Sequence, residues 1–360
     1  MQFAVNVPIN PSSFGQVSTA ILKELHKREI APPLFPTGGS ISLESQEGSE
    51  DFESWIENCV EKAFSHSRKN PCLKIWHISG GLQSFSEKQA LFTFYETNAP
   101  TKQEVNILKN NKTFVSNSCT ADIFESHGVS ASVIPLGFDS NNFKIINKKY
   151  FDDDRITFNL CGKFEKRKHH KKIIQAWLKK YGNNKKYYLQ CALWNNFFSD
   201  EDNTELFKSC LGGNNFFNIQ FLSYMPENSS YNDFLNSSDI VIGMSGGEGW
   251  GLPEFQSVAL GKHAVILNSH GYREWADEIN SVLVEAKGEI DSHDGIFFEK
   301  DSLFNQGTFS DWNEDDFIDG CERAINRYNI EPTNKDGEQL QKRFTYEKTV
   351  DKLLNELENI

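Results

Sequence analysis

Short apolar runs alternate with amphipathic stretches through most of the chain. That alternation predicts βαβ units around parallel sheet. The first run is Phe3 to Val7, followed by a turn region holding Pro8, Pro11 and Gly15. Val17, Ala20, Ile21 and Leu25 then recur at helical spacing on one face. Further strands are predicted at 73–78, 113–116 and 132–136, with a short helix over 119–127 closed by Gly128. Residues 36–52 are polar and rich in Gly and Ser, and read as a surface loop.

After an interruption at 143–154, where Lys148, Lys149 and three consecutive Asp break the pattern, the alternation restarts. A strand at 156–160 leads to a helix over 171–181 with Ile174, Trp177, Leu178 and Tyr181 inward, closed by Gly182. Strands at 187–193, 240–244 and 264–267 follow, the last two separated by a loop and a helix over 253–260. The chain ends in an amphipathic helix over 346–357 with Val350, Leu353, Leu354 and Leu357 on one face. A length of 360 residues accommodates two such α/β units. The expected division is 1–150, 151–340 and a terminal helix, 341–360, packing back on the first unit.

Charge and cysteine usage narrow the classes. Thirty-seven basic against 50 acidic residues leave a net charge of −13, which disfavours general nucleic-acid binding. The seven cysteines stand singly with no Cys-x-x-Cys, so neither a disulfide framework nor a zinc site is expected. The amino-terminal run is too short for a signal peptide, and no stretch reaches the ~18 apolar residues of a membrane span. The expectation is a soluble, cytoplasmic protein with no transmembrane segment.

Two segments carry candidate chemistry. In 245–261 a buried strand delivers the chain to a loop with Gly246, Gly247, Gly249 and Gly251, and then to a helix with Pro253 near its start and Gly261 at its end. Free N–H groups and the positive helix end face that loop, which suits an anion. Glu248 at its mouth suits sugar hydroxyls instead; on spacing alone a solvated Glu in a turn fits equally. In 159–169, Gly162, Lys163, Arg167 and Lys168 lie at the end of a strand before a helix. There cations can meet a diphosphate, although by composition a solvated basic helix start is the commoner outcome. His169 and His170 read as solvated.

The segment 245–261 resembles the Glu-x7-Glu region of retaining GT-B glycosyltransferases of the family 4 type, over about fourteen positions. That resemblance implies two Rossmann-like domains facing across a cleft, with the second holding a nucleotide-sugar donor. It places Glu248 near the donor hexose, with Gly247, Gly249, Trp250, Gly251 and Leu252 beside it. The second motif Glu falls on Gln256, whose amide can hold a ribose hydroxyl without charge. The segment 162–168 resembles the family's diphosphate-binding run, with Lys163 and Lys168 as best matches and Arg167 competing for the second role. Residues 133–143 resemble the family's hinge-proximal segment, and Gly15 stands in the place of its first glycine loop. The expected catalytic set is therefore Glu248, Lys163 and Lys168.

Three further residues are candidates for the acceptor and sugar pocket. His77 falls at a predicted strand end, where it is either near the reacting sugar or a structural His. Glu96 either faces the acceptor or is a surface charge. His270 follows the strand 264–267, with Gly271 and Glu274 nearby. The resemblance implies hexose transfer from a UDP- or GDP-sugar to a glycan, lipid-linked or protein acceptor, with retention, no cofactor and no metal. The alternatives are a catalytically weak or inactive sugar-nucleotide or glycan-binding protein of the same fold, and another GT-B enzyme such as an epimerase or phosphorylase. A nicotinamide enzyme is disfavoured because no Gly-x-Gly-x-x-Gly follows either first strand.

Overall fold

The computed structural model describes residues 2–360. Its first sheet contains β1 (Ala4–Ile9), β2 (Leu34–Ile41), β3 (Cys72–Ile75), β4 (Gln89–Thr93), β5 (Lys112–Val115) and β6 (Ala131–Val133), in the order β2-β1-β3-β4-β5-β6. The second contains β7 (Ile156–Cys161), β8 (Tyr187–Ala192), β9 (Ile219–Phe221), β10 (Ile240–Gly243), β11 (His263–Asn268) and β12 (Val282–Glu285), in the order β12-β11-β10-β7-β8-β9. Every pairing in both sheets is parallel. Strands β1 and β7 are mostly apolar and wholly buried, as strands covered on both faces must be.

In the second sheet the chain runs outward from β7 through β8 and β9, then returns to the other side for β10. The strand order therefore reverses between β7 and β10, and ligands of such sheets bind outside the carboxyl ends of the strands at that point. Residues Gly162–Lys168 follow β7 and Met244–Leu252 follow β10, so both candidate segments leave the sheet beside this reversal.

The terminal helix Tyr346–Leu357 crosses back to the first half. Val350, Leu353 and Leu357 are buried, and Thr349 Oγ1 donates to Pro135 O at 2.8 Å. Thr345 bridges to Phe138, and a Cβ on Gly137 would stand 2.2 Å from Tyr346 N. The segment around Gly137 is thus the floor on which the returning chain lies.

Several expectations need correction. Residues 36–41 are not loop: they belong to edge strand β2, and the helix Glu50–Lys62 takes the end of the expected loop. Thr37, Gly38, Gly39 and Ser40 look like a loop because nothing covers that end of the strand. Gly15 lies inside the helix Ser13–Lys27 rather than in a loop. A Cβ there would fall 2.0 Å from Asn10 O, so glycine is needed for close packing of the turn. Strand β3 stops at Ile75, and His77 stands at the head of a short 3-10 turn, Ile78–Leu82.

Candidate active site

Helix Leu252–Ala259 begins with Gly251 in the left-handed region (φ +79), where a side chain would also strike the Tyr272 ring. The other loop glycines answer to contact across the cleft. A Cβ on Gly247 would meet Glu96 O at 2.1 Å, and one on Gly249 would meet Phe94 Cβ at 2.6 Å. Ser116 Oγ and Asn117 Nδ2 both donate to Gly249 O, at 2.5 and 2.7 Å. Glu274 accepts from Ser118 N and Oγ at the head of the helix Ser118–Ser126. The glycine loop is therefore clamped between the two halves.

Beneath it lies a cluster of ion pairs. Glu248 is buried and accepts from Arg167 at 2.8 Å and Lys168 at 2.5 Å. Arg167 also reaches Glu165 at 2.7 Å and, from the first half, Glu96 at 3.0 Å. Lys163 reaches Glu165 at 2.7 Å and lies over the rings of Phe197 and Phe297. The Lys168 stem crosses Gly162, where a Cβ would stand 3.0 Å from Cε. Lys163, Arg167, Lys168, Glu248 and Glu96 are thus brought together. Glu165 joins them, although spacing gave it no role.

The middle of the basic run is not solvated, although Lys163, Lys166 and Lys171 are exposed. Arg167, Lys168, His169 and His170 are all buried. His169 turns the chain in the left-handed region (φ +53), and its Nε2 lies 2.9 Å from Ser310 O. His170 Nε2 lies 3.2 Å from Cys161 O, and burial depresses its pKa to about 3, so the ring is neutral. Burying charge this way is tolerable only with partners. The partners come from positions 165, 248 and 96, two of them distant in sequence.

The carboxyls are driven in opposite directions. Burial pushes Glu248 up, but Arg167 and Lys168 outweigh it and hold the group well below the usual carboxylate range. Glu96 rises to about 7, first through burial and then through the nearby Glu165 and Glu248 charges, against the pull of Arg167. Glu254, in the first turn of the helix, is buried with Oε2 unpartnered and also rises to about 7, first through burial. Gln256 is mostly buried, yet its amide makes no hydrogen bond to a described residue.

On the opposing wall, the His77 ring stands 4.6 Å from Phe14 and opens to the cleft. Its pKa is lowered, first by desolvation and then by Lys163, which places it facing the cations. His270 is buried with a positive φ of 46° and an unpartnered Nδ1, and Glu248 and Glu289 act on it. Gly271 N donates to Glu248 O at 2.9 Å, tying this turn to the glycine loop. Among the described residues no group of three or more His, Cys, Asp or Glu is placed to hold a metal. None of their helices is long and apolar enough to cross a membrane.

No protein-family model matches the chain, and no curated protein does. Solved structures do. A sucrose-phosphate synthase from Thermosynechococcus elongatus superimposes with a TM-score of 0.70 at 12% identity, covering 100% of this chain and 99% of that one. The Anabaena protein HepE, solved in complex with UDP-glucose, gives 0.66 at 12% identity with both chains fully covered. The trehalose 6-phosphate synthase of Burkholderia multivorans gives 0.66 at 10% identity, over 99% of this chain and 98% of that one. The fold is therefore GT-B, two Rossmann-like halves facing across a cleft.

Proposed function

We propose that the chain is a glycosyltransferase that moves a hexose from a nucleotide-diphosphate sugar, a UDP- or GDP-sugar, to a hydroxyl acceptor. The observation that carries this reading is the meeting of Glu248, Lys168 and Arg167 at the strand-order reversal, under a glycine loop that opens a helix. Lys163 and Lys168 hold the diphosphate, with Arg167 beside them, and the N–H groups of Gly249 to Leu252 add the helix end. Glu248 accepts from the hexose hydroxyls, and the unengaged Gln256 amide meets the ribose. Gly162 lets the Lys168 stem lie flat at the site. His77, Glu96 and His270 line the sugar and acceptor side.

The transfer proceeds with retention. The bond between the anomeric carbon and the phosphate oxygen breaks, and the acceptor oxygen bonds to that carbon from the same face. The acceptor proton passes to the departing phosphate. Lys163 and Lys168 stabilise the negative charge that develops on the leaving diphosphate. No protein nucleophile and no metal are assigned, and the two halves contribute orientation. The seven free cysteines are compatible with a reducing, cytoplasmic setting.

One feature favours a second reading, a weak or inactive sugar-nucleotide-binding protein: Gln256 brings no charge where the family motif has a carboxylate. A panel of UDP-, GDP-, ADP-, CMP- and dTDP-sugars separates the two. The transferase reading predicts that one nucleotide class raises the melting temperature and slowly loses its sugar. Stabilisation with no release, even with glycan acceptors present, selects the binding protein. No response to any nucleotide rejects both.

A further inference from the structure

A second hollow lies in the first half, one side chain away from the cleft. Asn6 on β1 and Lys74 on β3 are register partners, so their side chains share one face of the sheet. The connection from β3 to β4 carries only the short 3-10 turn Ile78–Leu82, and no full helix covers that face. What remains is a cavity of about 330 Å³ whose walls include Asn6, Thr37, Lys74, Trp76, Ser79 and Phe85. Trp76 separates it from the cleft wall, its ring lying 5.4 Å from Phe14 and 5.2 Å from His77.

Lys74 is the unusual member. Its side chain is buried, and Nζ donates to Gly80 O at 2.9 Å and Gln83 O at 2.6 Å. An ammonium has three donors, so one is left over. Among the described residues no acidic side chain lines the hollow, and burial lowers the Lys74 pKa with no ionisable group but the Cys72 thiol opposing it. In a chain with 50 acidic residues, a buried cation with no carboxylate beside it lacks the partner that burial calls for. Asn6 Nδ2 is engaged by Phe35 O and Thr37 Oγ1, while its Oδ1 accepts no hydrogen bond from a described residue. Phe85, stacked on Phe35 at 4.1 Å, is 44% exposed at the rim and offers an apolar face with Trp76.

We propose that this hollow is a subsite for an anionic sugar unit. The sugar ring lies against Trp76 and Phe85, its carboxylate or phosphate meets the remaining donor of Lys74, and Asn6 and Ser79 take its hydroxyls. As an acceptor subsite it rests on the transferase reading and gives the acceptor a negative charge. As a binding site it stands independently of turnover.

The test is calorimetric titration of the whole chain with glucose 6-phosphate, glucuronate, glucose and inorganic phosphate. At least one anionic sugar binds tenfold or more tightly than both glucose and inorganic phosphate, and which of the two does so identifies the anion. Lys74→Met removes that preference. Ser79→Asp, at an exposed position on the rim, weakens the same ligand at least fivefold with an unchanged melting temperature, and it decides the matter if Lys74→Met does not fold. Equal binding of glucose and the anionic sugars overturns the proposal, as does inorganic phosphate binding as tightly as the sugars. So does a preference that survives Ser79→Asp. Nucleotide stabilisation is measured on the same samples. Its loss with anionic-sugar binding intact rejects the transferase reading and leaves the subsite, and the converse rejects only the subsite.

Discussion

Where the second half meets the cleft, three cations and two carboxylates form a continuous chain of ion pairs, Lys163–Glu165–Arg167–Glu248–Lys168. Glu96 from the first half supplies the third carboxylate. Where the first half meets the cleft, the wall is chiefly aromatic: Phe14 packs on Trp76, His77 and Phe94, with ring centroids 4.6 to 5.4 Å apart. One wall is built to exchange charge, the other to offer shape. The difference teaches that the cationic run is held in reserve by its own carboxylates. On the proposed reading, an arriving diphosphate competes with Glu248, Glu165 and Glu96 for cations already in place.

That contrast can be broken most severely at Glu248. Glu248→Ala lowers turnover by roughly 100-fold or more, the scale of misplacing the reacting sugar. Nucleotide affinity stays level or tightens, because Lys168 and Arg167 lose a competitor. Steady-state rates beside calorimetric titration check the split, on protein shown to be folded. A large loss of nucleotide affinity would mean that Glu248 does not compete for the cations.

Lys168→Ala is next in size. It removes a charge-assisted contact worth about 1.5–3 kcal/mol, so nucleotide affinity falls roughly tenfold to a hundredfold and turnover falls with it. Affinity measured at two salt concentrations sharpens the result, since the variant's salt dependence is the shallower.

Glu96 tests whether the first half restrains the cluster. Its carboxyl titrates near 7, and an incoming diphosphate raises it further. Nucleotide binding therefore takes up protons, and affinity rises as pH falls through about 7. Glu96→Gln tightens binding several-fold at pH 8 and flattens that dependence. A wild-type affinity independent of pH between 6 and 8 contradicts this reading.

The remaining expected effect is on stability rather than on binding. Glu254 titrates near 7 in the fold and near 4.5 when unfolded. A raised carboxyl favours the fold fully below its unfolded pKa, and that contribution is lost as pH rises through the folded value. Wild-type stability therefore declines from pH 5 to 8 by an amount that Glu254→Gln recovers, about 1–3 kcal/mol at pH 8 and little at pH 5. Melting curves at both pH values check it.

The sequence was most legible where punctuation is strong. Gly251, Pro253 and Gly261 bracket the helix Leu252–Ala259 within one residue of its expected bounds, and the apolar stripe of Tyr346–Leu357 matches its expected span. Legibility failed where the deciding partner is remote. The burial of His169 and His170 depends on carboxylates and carbonyls supplied by other segments, so the seven basic residues from Lys166 to Lys172 read locally as solvated. Glu165 looked like one more charge in that run, and only the Arg167 guanidinium beside it shows otherwise. Edge strand β2 was hidden by Gly38 and Gly39, which have positive φ and sit where its register with β1 shifts between Pro36 and Ile41. Gly247 and Gly249 were expected to approach a ligand; they also approach Glu96 and Phe94, residues that no local pattern places opposite them.

The most direct test of the central claim is a crystal structure of the chain with UDP or GDP bound, whichever raises the melting temperature. The account predicts the diphosphate within hydrogen-bonding distance of Lys163 and Lys168, over the amino end of the helix Leu252–Ala259, with Lys168 withdrawn from Glu248. A nucleotide seated elsewhere, with the Lys168–Glu248 pair undisturbed, would contradict it.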